Sequence, residues 1–387
     1  MKTFAEINER LKAGKAVVLT AEEVVPLCRE KGPKAVADYV DVVTTATFGP
    51  MCSSGAFLNF GHSDPPIKMA KVWLNDVPAY GGVAAVDAYL GATELSETRG
   101  LSYGGAHVIE DLVAGKKVRL RATSYGTDCY PRREIVTTVD LGRLNQAYLF
   151  NPRNAYQNYP AAVNGGDRVI HTYMGTLLPH MGNVSYSSAG ELSPLLKDPY
   201  YRTIGVGTRI FLGGATGYVA WEGTQHNPGQ ARAENGIPLT GAGTLALIGN
   251  LKEMDRRYLR AAIFDRYGVT LYVGVGVPIP VLDEDVARTV GVGNDEIRTT
   301  VVDYGVPRRS RPSLGQVSYA ELRSGSIMLN GRRVPATPLS SLARAREIAA
   351  KLKGWLMEGR FLLQEPVAPL PLQNQPHPLE SHAEGGN

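Results

Sequence analysis

Glycine interrupts this chain about once in nine residues, 43 times in 387, with 25 prolines beside it. The usual glycine share is roughly 7%. Where so many glycines fall outside a terminal tail, the backbone turns sharply or comes close to a ligand. Both a fold with many tight turns and a loop-rich active site fit that density.

Between the breaks the pattern changes period repeatedly. Residues 3–13 carry Phe4, Ile7 and Leu11 at helical spacing and stop at Gly14. Thr20-Ala-Glu-Glu23 is a capping-box pattern that opens a second helix ending near Gly32-Pro33. A helix over 33–39, a strand over 40–47, a strand or turn over 67–74 and a helix over 81–90 follow. Residues 118–123 and 135–140 read as two β-rich runs, 204–211 and 217–221 as strands about Gly213-Gly214. A helix over 251–266, ended by Gly268, leads into an apolar strand over 269–277. The last regular element is a helix over 340–357 with Ile348, Leu352, Trp355 and Leu356 on one face. This predicts a mixed α/β fold with glycine-rich loops, in two lobes around a central cleft. The expected division is 1–160, 161–364 and a disordered proline-bearing tail over 365–387. The stretch 151–160 is aromatic, polar and prolyl without either period, which suits a domain junction or an active-site lid.

The apolar share of 43% and charged share of 20% are those of an ordinary enzyme, and a net charge of +4 gives no reason to invoke nucleic acid. Arg308-Arg309-Ser310-Arg311 before Pro312 reads as a solvated turn rather than a phosphate site. The charged amino terminus has no signal-peptide pattern and no apolar run is of membrane-spanning length, so a cytoplasmic protein without membrane partners is expected. Three cysteines without a framework of pairs fit a reducing compartment.

Two of the three cysteines sit where chemistry is done. Cys52 follows Val42-Val43-Thr44-Thr45 and lies in Phe-Gly-Pro-Met-Cys52-Ser-Ser-Gly. Cys129 follows 118–123 and lies in Ser-Tyr-Gly-Thr-Asp-Cys129-Tyr-Pro-Arg-Arg. A structural thiol usually hides on an apolar face, as Cys28 does beside Leu27 and four residues after Val24. A thiol on a loop among N–H groups and arginines is placed where its anion is stabilised and reached. For Cys52 those N–H groups come from Ser53, Ser54 and Gly55; the bland alternative is a tight turn that takes a small residue. For Cys129, Arg132 and Arg133 favour a thiolate or bind a substrate carboxylate, and Asp128 works against the thiolate. Its bland alternative is a solvated hairpin tip. His62, ten residues past Cys52, is a candidate base or general acid, or a turn residue paired with Asp64.

Other cofactor chemistry finds little purchase. Gly205-Val-Gly207 and Gly213-Gly214-Ala-Thr-Gly217 fail the dinucleotide order, and no phosphate-loop lysine follows. His171 and His180 match no zinc spacing, so no metal site is expected. Three cysteines cannot supply a four-thiolate cluster from one chain, which leaves only a cluster with incomplete cysteine ligation open.

The segments around Cys52 and Cys129 resemble the homocysteine-biosynthesis family of anaerobic archaea and bacteria, the L-aspartate semialdehyde sulfurtransferases. The resemblance runs to the last helix and is carried by Phe-Gly-Pro-Met-Cys52-Ser-Ser-Gly-Ala-Phe-Leu-Asn-Phe-Gly-His-Ser-Asp-Pro-Pro-Ile-Lys, by the Cys129 string, and by the 77-residue interval between the cysteines. It implies conversion of L-aspartate 4-semialdehyde into L-homocysteine, a step of methionine biosynthesis, with both cysteines important for activity. The implied cofactor is persulfide sulfur on cysteine, with electrons from a separate ferredoxin-type protein, since the ferredoxin-type or regulatory module of many relatives is not seen at this carboxyl end. Cys52 is the expected sulfur carrier, Cys129 the resolving thiol, and Arg132 or Arg133 the substrate's carboxylate partner; copies of the chain are expected to assemble. The alternatives are a non-catalytic sulfur carrier or redox sensor, and an acyltransferase with Cys52 as nucleophile.

Overall fold

The computed structural model describes residues 1–379. The first two helices, Phe4–Lys12 and Ala21–Tyr39, both open on reciprocal capping boxes, Thr3 with Glu6 and Thr20 with Glu23. The second bends at Gly32, whose φ of 80° is non-helical, so the Gly32-Pro33 break is a kink between two helical pieces.

A 14-stranded sheet forms the body. Near one end of it Val42–Pro50 pairs antiparallel with Gly268–Pro280, from Val42 opposite Pro280 to Pro50 opposite Tyr272. From Val42–Pro50 the ladder continues through Gly268–Pro280, Arg209–Leu212, Ala215–Glu222, Leu245–Asn250 and Ala147–Asn154 to Gly55–Asn59. Those six inter-strand steps would cover about 29 Å on a flat sheet. Yet the chain passes from Pro50 to Gly55 through only four residues, a reach of roughly 18 Å at most. The sheet therefore curls, and the turn that joins its two distant strands is the one that carries Cys52.

The helix Leu342–Met357 covers Val42–Pro50 and Gly268–Pro280 with Ala345, Ile348, Ala349, Leu352 and Leu356 buried, as its apolar stripe predicts. It sits close because Gly274 has no side chain: a Cβ there would lie 2.8 Å from Ile348 Cδ1. Gly213 and Gly214, at φ 60° and 98°, turn a tight hairpin between Arg209–Leu212 and Ala215–Glu222, a turn that L-residues with a Cβ rarely make.

A second sheet of six strands runs Ser313–Ser318, Arg298–Asp303, Ala161–Val163, Val184–Tyr186, Arg332–Pro338, Ser326–Leu329 and has its own core, with Val163, Val184, Ile297, Val301 and Leu322. The mixed α/β class expected from the sequence holds. The expected boundary at residue 160 does not coincide with a sheet boundary, because the large sheet takes strands from both sides of it. The six-stranded unit is built from two excursions, 161–186 and 298–338; between them the chain returns to the large sheet for the strands from Arg209–Leu212 to Gly268–Pro280, and after them for its last long helix.

Three other expectations are corrected. Residues 251–266 form a short 3-10 turn, Leu251–Glu253, and a strand, Leu259–Phe264, that folds back on Val269–Val273 through Arg266 at φ 51°. The Leu, Arg and Ala of this segment favour helix, and the β-branched run after Gly268 overrides them by pairing. Residues 81–90 are a loop followed by the strand Asp87–Gly91, held opposite Gly55–Asn59. The 365–387 stretch is laid on the body as far as Asn374: Ala368–Pro369 pairs with Gly205–Val206, Leu370 is buried, and Pro371 O accepts from His226 Nε2 at 3.0 Å. The remainder of that expected tail, from residue 380, lies outside the described residues. Among the described residues no helix is long and apolar enough to cross a membrane.

Candidate active site

Cys52 occupies a corner of a tight turn in which Ser54 N donates to Met51 O at 3.0 Å. The turn is pinned from both sides. Met51 N donates to Leu271 O at 2.8 Å, tying it to the long strand Gly268–Pro280. Asn151, fully buried, donates through Nδ2 to Ser54 Oγ at 2.6 Å, and its Oδ1 accepts from Ser53 Oγ at 3.2 Å and from Arg153 N at 2.9 Å. One amide thus fixes the Cys52 turn and the backbone of Arg153 together. Above the turn, the Thr270 hydroxyl donates to Cys52 Sγ at 3.5 Å.

The half-buried sulfur faces a cavity of about 1020 Å³ between the two sheets. Cys52 and Ser53 line one side, and Arg153 through Gln157 with Tyr159 form a wall. This wall is the aromatic, prolyl stretch over 151–160 that suited a lid or junction, and it does join the two sheets. Tyr173, Tyr267 and Tyr304 add phenols. Tyr159 donates to Tyr173 at 2.9 Å, and Tyr173 and Tyr304 share a hydrogen bond of 3.0 Å. Burial pushes the Tyr159 and Tyr304 phenols far up, so these two hydroxyls stay protonated. Burial, and then the charge of a Cys52 thiolate, also raise Tyr267 and Tyr272. Tyr272 donates to Leu339 O at 3.1 Å, whereas Tyr267 OH makes no hydrogen bond to another described residue. Tyr267 is therefore a proton donor without an internal partner on the wall of the same cavity.

The basic loop enters from the second sheet. Residues 304–312 link Arg298–Asp303 to Ser313–Ser318, and this connection brings Arg308, Arg309 and Arg311 to the cavity. The loop is a turn, as its sequence suggests, but it faces a site. Arg311 lies over the Tyr304 ring at 3.8 Å.

The other expected site residues gather elsewhere. Gly55 and Ser54 are buried, Ser54 being committed to Asn151. His62 follows the far end of Gly55–Asn59, a strand roughly 15 Å long, while Cys52 precedes its near end. His62 stacks on Tyr130 with ring centroids 6.1 Å apart. Arg132 donates to Asp64 O at 2.7 Å and to Pro65 O at 2.9 Å, which fastens the His62 loop to the Cys129 hairpin. In that hairpin Thr127 and Tyr130 exchange two backbone hydrogen bonds of 3.0 Å, leaving Asp128 and Cys129 as an exposed two-residue tip. Arg133 packs along Gly126. Cys129, His62, Arg132 and Arg133 thus form one cluster at the sheet's edge, and none of them lines the cavity of Cys52. Cys28 is at a third place, half-buried on the second helix with its Sγ 3.8 Å from Ala287 O. Burial raises its thiol. Among the described residues no three His, Cys, Asp or Glu side chains converge as metal ligands.

Residues 16–363 match the family described as homocysteine biosynthesis enzyme, sulfur-incorporation. The chain belongs to this family. It is 55% identical to the L-aspartate semialdehyde sulfurtransferase of Methanosarcina acetivorans over 369 residues, 95% of this chain and 72% of that protein. It is 53% identical to the protein of the same name from Methanocaldococcus jannaschii over 382 residues, 95% of this chain and 73% of the relative. An uncharacterized protein of Methanothermobacter thermautotrophicus is 33% identical over 333 residues, 84% of this chain and 72% of the relative. No solved structure matches the chain. Within the family frame, sequence reasoning passed over Thr270, Arg153, Tyr267 and Arg309. Arg153 sat inside the stretch marked as a lid and Arg309 in a basic loop, so two of the four carried a local signal; Thr270 and Tyr267 carried none.

Proposed function

We propose that this chain makes L-homocysteine from L-aspartate 4-semialdehyde by reductive sulfur insertion, with Cys52 carrying the sulfur that reaches the aldehyde. The names of its relatives support the substrate and the reaction class. The observation that carries the assignment to Cys52 is its setting: a half-buried sulfur that accepts from Thr270 and opens onto the large cavity that the Tyr267 phenol also lines.

The chemistry follows from those groups. The terminal sulfur of a Cys52 persulfide attacks the aldehyde carbon and forms the C–S bond; the carbonyl oxygen takes one proton from Tyr267 to become a hydroxyl, and it leaves as water with a second proton from solvent as the carbon is reduced. With sulfide as the source, aldehyde plus hydrogen sulfide, two electrons and two protons give thiol plus water. From the persulfide, cleavage of the S–S bond takes two further electrons and two further protons and returns the Cys52 thiol. These electrons come from a separate low-potential donor of ferredoxin type. Cys129, exposed on its hairpin tip, serves exchange with an outside partner rather than the aldehyde.

The test is homocysteine formed by purified protein given aspartate semialdehyde, a sulfur source and a low-potential reductant. Wild type forms it, and Cys52→Ser loses nearly all turnover while keeping its fold, because a hydroxyl cannot hold sulfane sulfur. Sulfur loading on Cys52 without any homocysteine would make the chain a carrier and sink the enzyme reading.

A further inference from the structure

The cavity holds more positive charge than the aldehyde chemistry uses. Arg153, Arg308, Arg309 and Arg311 line it, and no aspartate or glutamate does. Among the described residues none of the four makes an ion pair, although most other arginines near a carboxylate do. Arg153 is held by neutral partners: Nε donates to Thr224 Oγ1 at 3.1 Å and Nη1 to Gln225 Oε1 at 2.9 Å. Its charge is fixed in place and unanswered. Arg309 hydrogen-bonds to no other described residue through its side chain, and its loop is braced by Arg311 stacked on Tyr304. Tyr156 lines the same cavity as Arg153 and Arg309. Burial raises its phenol, and both Arg153 and Arg309 oppose the rise.

We infer that Arg153 and Arg309 form a carboxylate subsite, and that the cavity selects its aldehyde by that carboxylate and not by the 2-amino group. This rests on the reading above and names the substrate class of the same site. A planar guanidinium binds a carboxylate through two parallel hydrogen bonds, and both Arg153, half-buried, and Arg309, exposed on its loop, present one to the cavity. An ammonium group has no acidic partner here, and the four arginines oppose it. The aldehyde without the amine, 4-oxobutanoate, is therefore a substrate too. Its conversion balances as before: aldehyde, hydrogen sulfide, two electrons and two protons give 4-sulfanylbutanoate and water, with the same low-potential donor.

The experiment compares aspartate semialdehyde, 4-oxobutanoate and butanal with wild type, Arg153→Gln and Arg309→Gln. A parallel arm measures by mass spectrometry how each aldehyde slows iodoacetamide labelling of the Cys52 peptide, with no sulfur source present. For wild type, 4-oxobutanoate has a KM within a few-fold of aspartate semialdehyde, and butanal neither saturates nor protects. Each variant raises KM for both carboxylates by roughly 10- to 100-fold, the range of a lost charged hydrogen bond, leaves kcat within about threefold, and loses protection. Arg309→Lys recovers part of the loss. Equal use of butanal, or variants with wild-type KM and protection, overturns the subsite. Exclusion of 4-oxobutanoate alone, in both arms, overturns selection by carboxylate. Wild type that forms no thiol from any aldehyde, yet is protected by 4-oxobutanoate where the variants are not, keeps the subsite and removes the sulfurtransferase reading instead.

Discussion

Thr270 Oγ1 lies 3.5 Å from Cys52 Sγ and is the hydroxyl donor to that sulfur. Thr270 is fully buried on the long strand Gly268–Pro280, so the donor cannot swing away and water does not replace it. A buried hydroxyl donor aimed at a sulfur fixes the orientation in which that sulfur, thiol or persulfide, meets the cavity.

Thr270→Val keeps the shape and deletes the donor. A hydrogen bond of about 0.5–1.5 kcal/mol corresponds to a roughly 2- to 10-fold change. The expected outcome is a loss of that size in the rate of Cys52 alkylation at neutral pH and in turnover, with KM for the aldehyde unchanged. An unchanged alkylation rate in a folded variant would remove Thr270 from the site.

How much of this was legible in advance depends on the range of each interaction. The Thr20 capping box, the helix over 340–357 and the strand before Cys52 were readable because each is set by residues within a few positions. The helix read over 251–266 failed because Leu259–Phe264 is held by a partner strand across a hairpin, and pairing outweighs the helix preference of Leu, Arg and Ala. The cavity needed the curl of the sheet. Thr270 is 218 residues from Cys52, and Arg309 reaches the site from the second sheet, so no local pattern ties either to the thiol. Cys129 shows the converse: its hairpin was readable, but its distance from the cavity is a property of sheet order.

Cys28 is a packing residue, and its neighbour tests this. A Cβ added at Gly291 would lie 2.4 Å from Cys28 Sγ and 2.8 Å from its Cβ. Cys28→Ala should leave turnover near wild type and cost about 1 kcal/mol of stability, typical of a small core deletion. Gly291→Ala should cost more, and the double variant should be more stable than the sum of the two, since the alanine at 28 relieves the sulfur clash. Denaturant unfolding of the four proteins checks the coupling; strict additivity would show that the two side chains do not meet.

Lys197 gives a pH dependence with a defined sign. It is fully buried, with Nζ donating to Val290 O at 2.9 Å and Val292 O at 2.5 Å. Burial brings its pKa down to about 7, against the opposing pull of Glu191 and Glu296. An unfolded lysine titrates near 10.4. Between these values the unfolded chain binds one more proton than the native one, so this group's contribution to stability rises with pH across the window. It is least favourable below pH 7 and levels off above about 10.4. Lys197→Met should therefore flatten the stability profile, relative to wild type, by up to about 1.4 kcal/mol per pH unit. Parallel unfolding profiles of the two proteins from pH 7.5 to 9.5 would place the native lysine in its charged form.

The separation of Cys129 from the Cys52 cavity divides the reaction into two measurable parts. Cys129 sits on a two-residue hairpin tip tied through Arg132 to the loop beyond His62, at the opposite end of Gly55–Asn59 from Cys52. Direct exchange between two thiols needs their Cβ atoms within about 4.5 Å. In one chain that would take movement of the whole hairpin and its partner loop, not rotation of a side chain. If Cys129 serves resupply from outside, a Cys129→Ser protein whose Cys52 already carries sulfane sulfur should complete one turnover at close to the wild-type rate when reductant is supplied. Its multiple-turnover rate should fall by at least tenfold. Cys52→Ser should fail in both regimes. Rapid quenching of preloaded protein, with homocysteine counted per active site, separates them. A Cys129→Ser protein that cannot complete the first turnover would show that its thiol reaches the reacting sulfur after all, from its own chain or from a second copy.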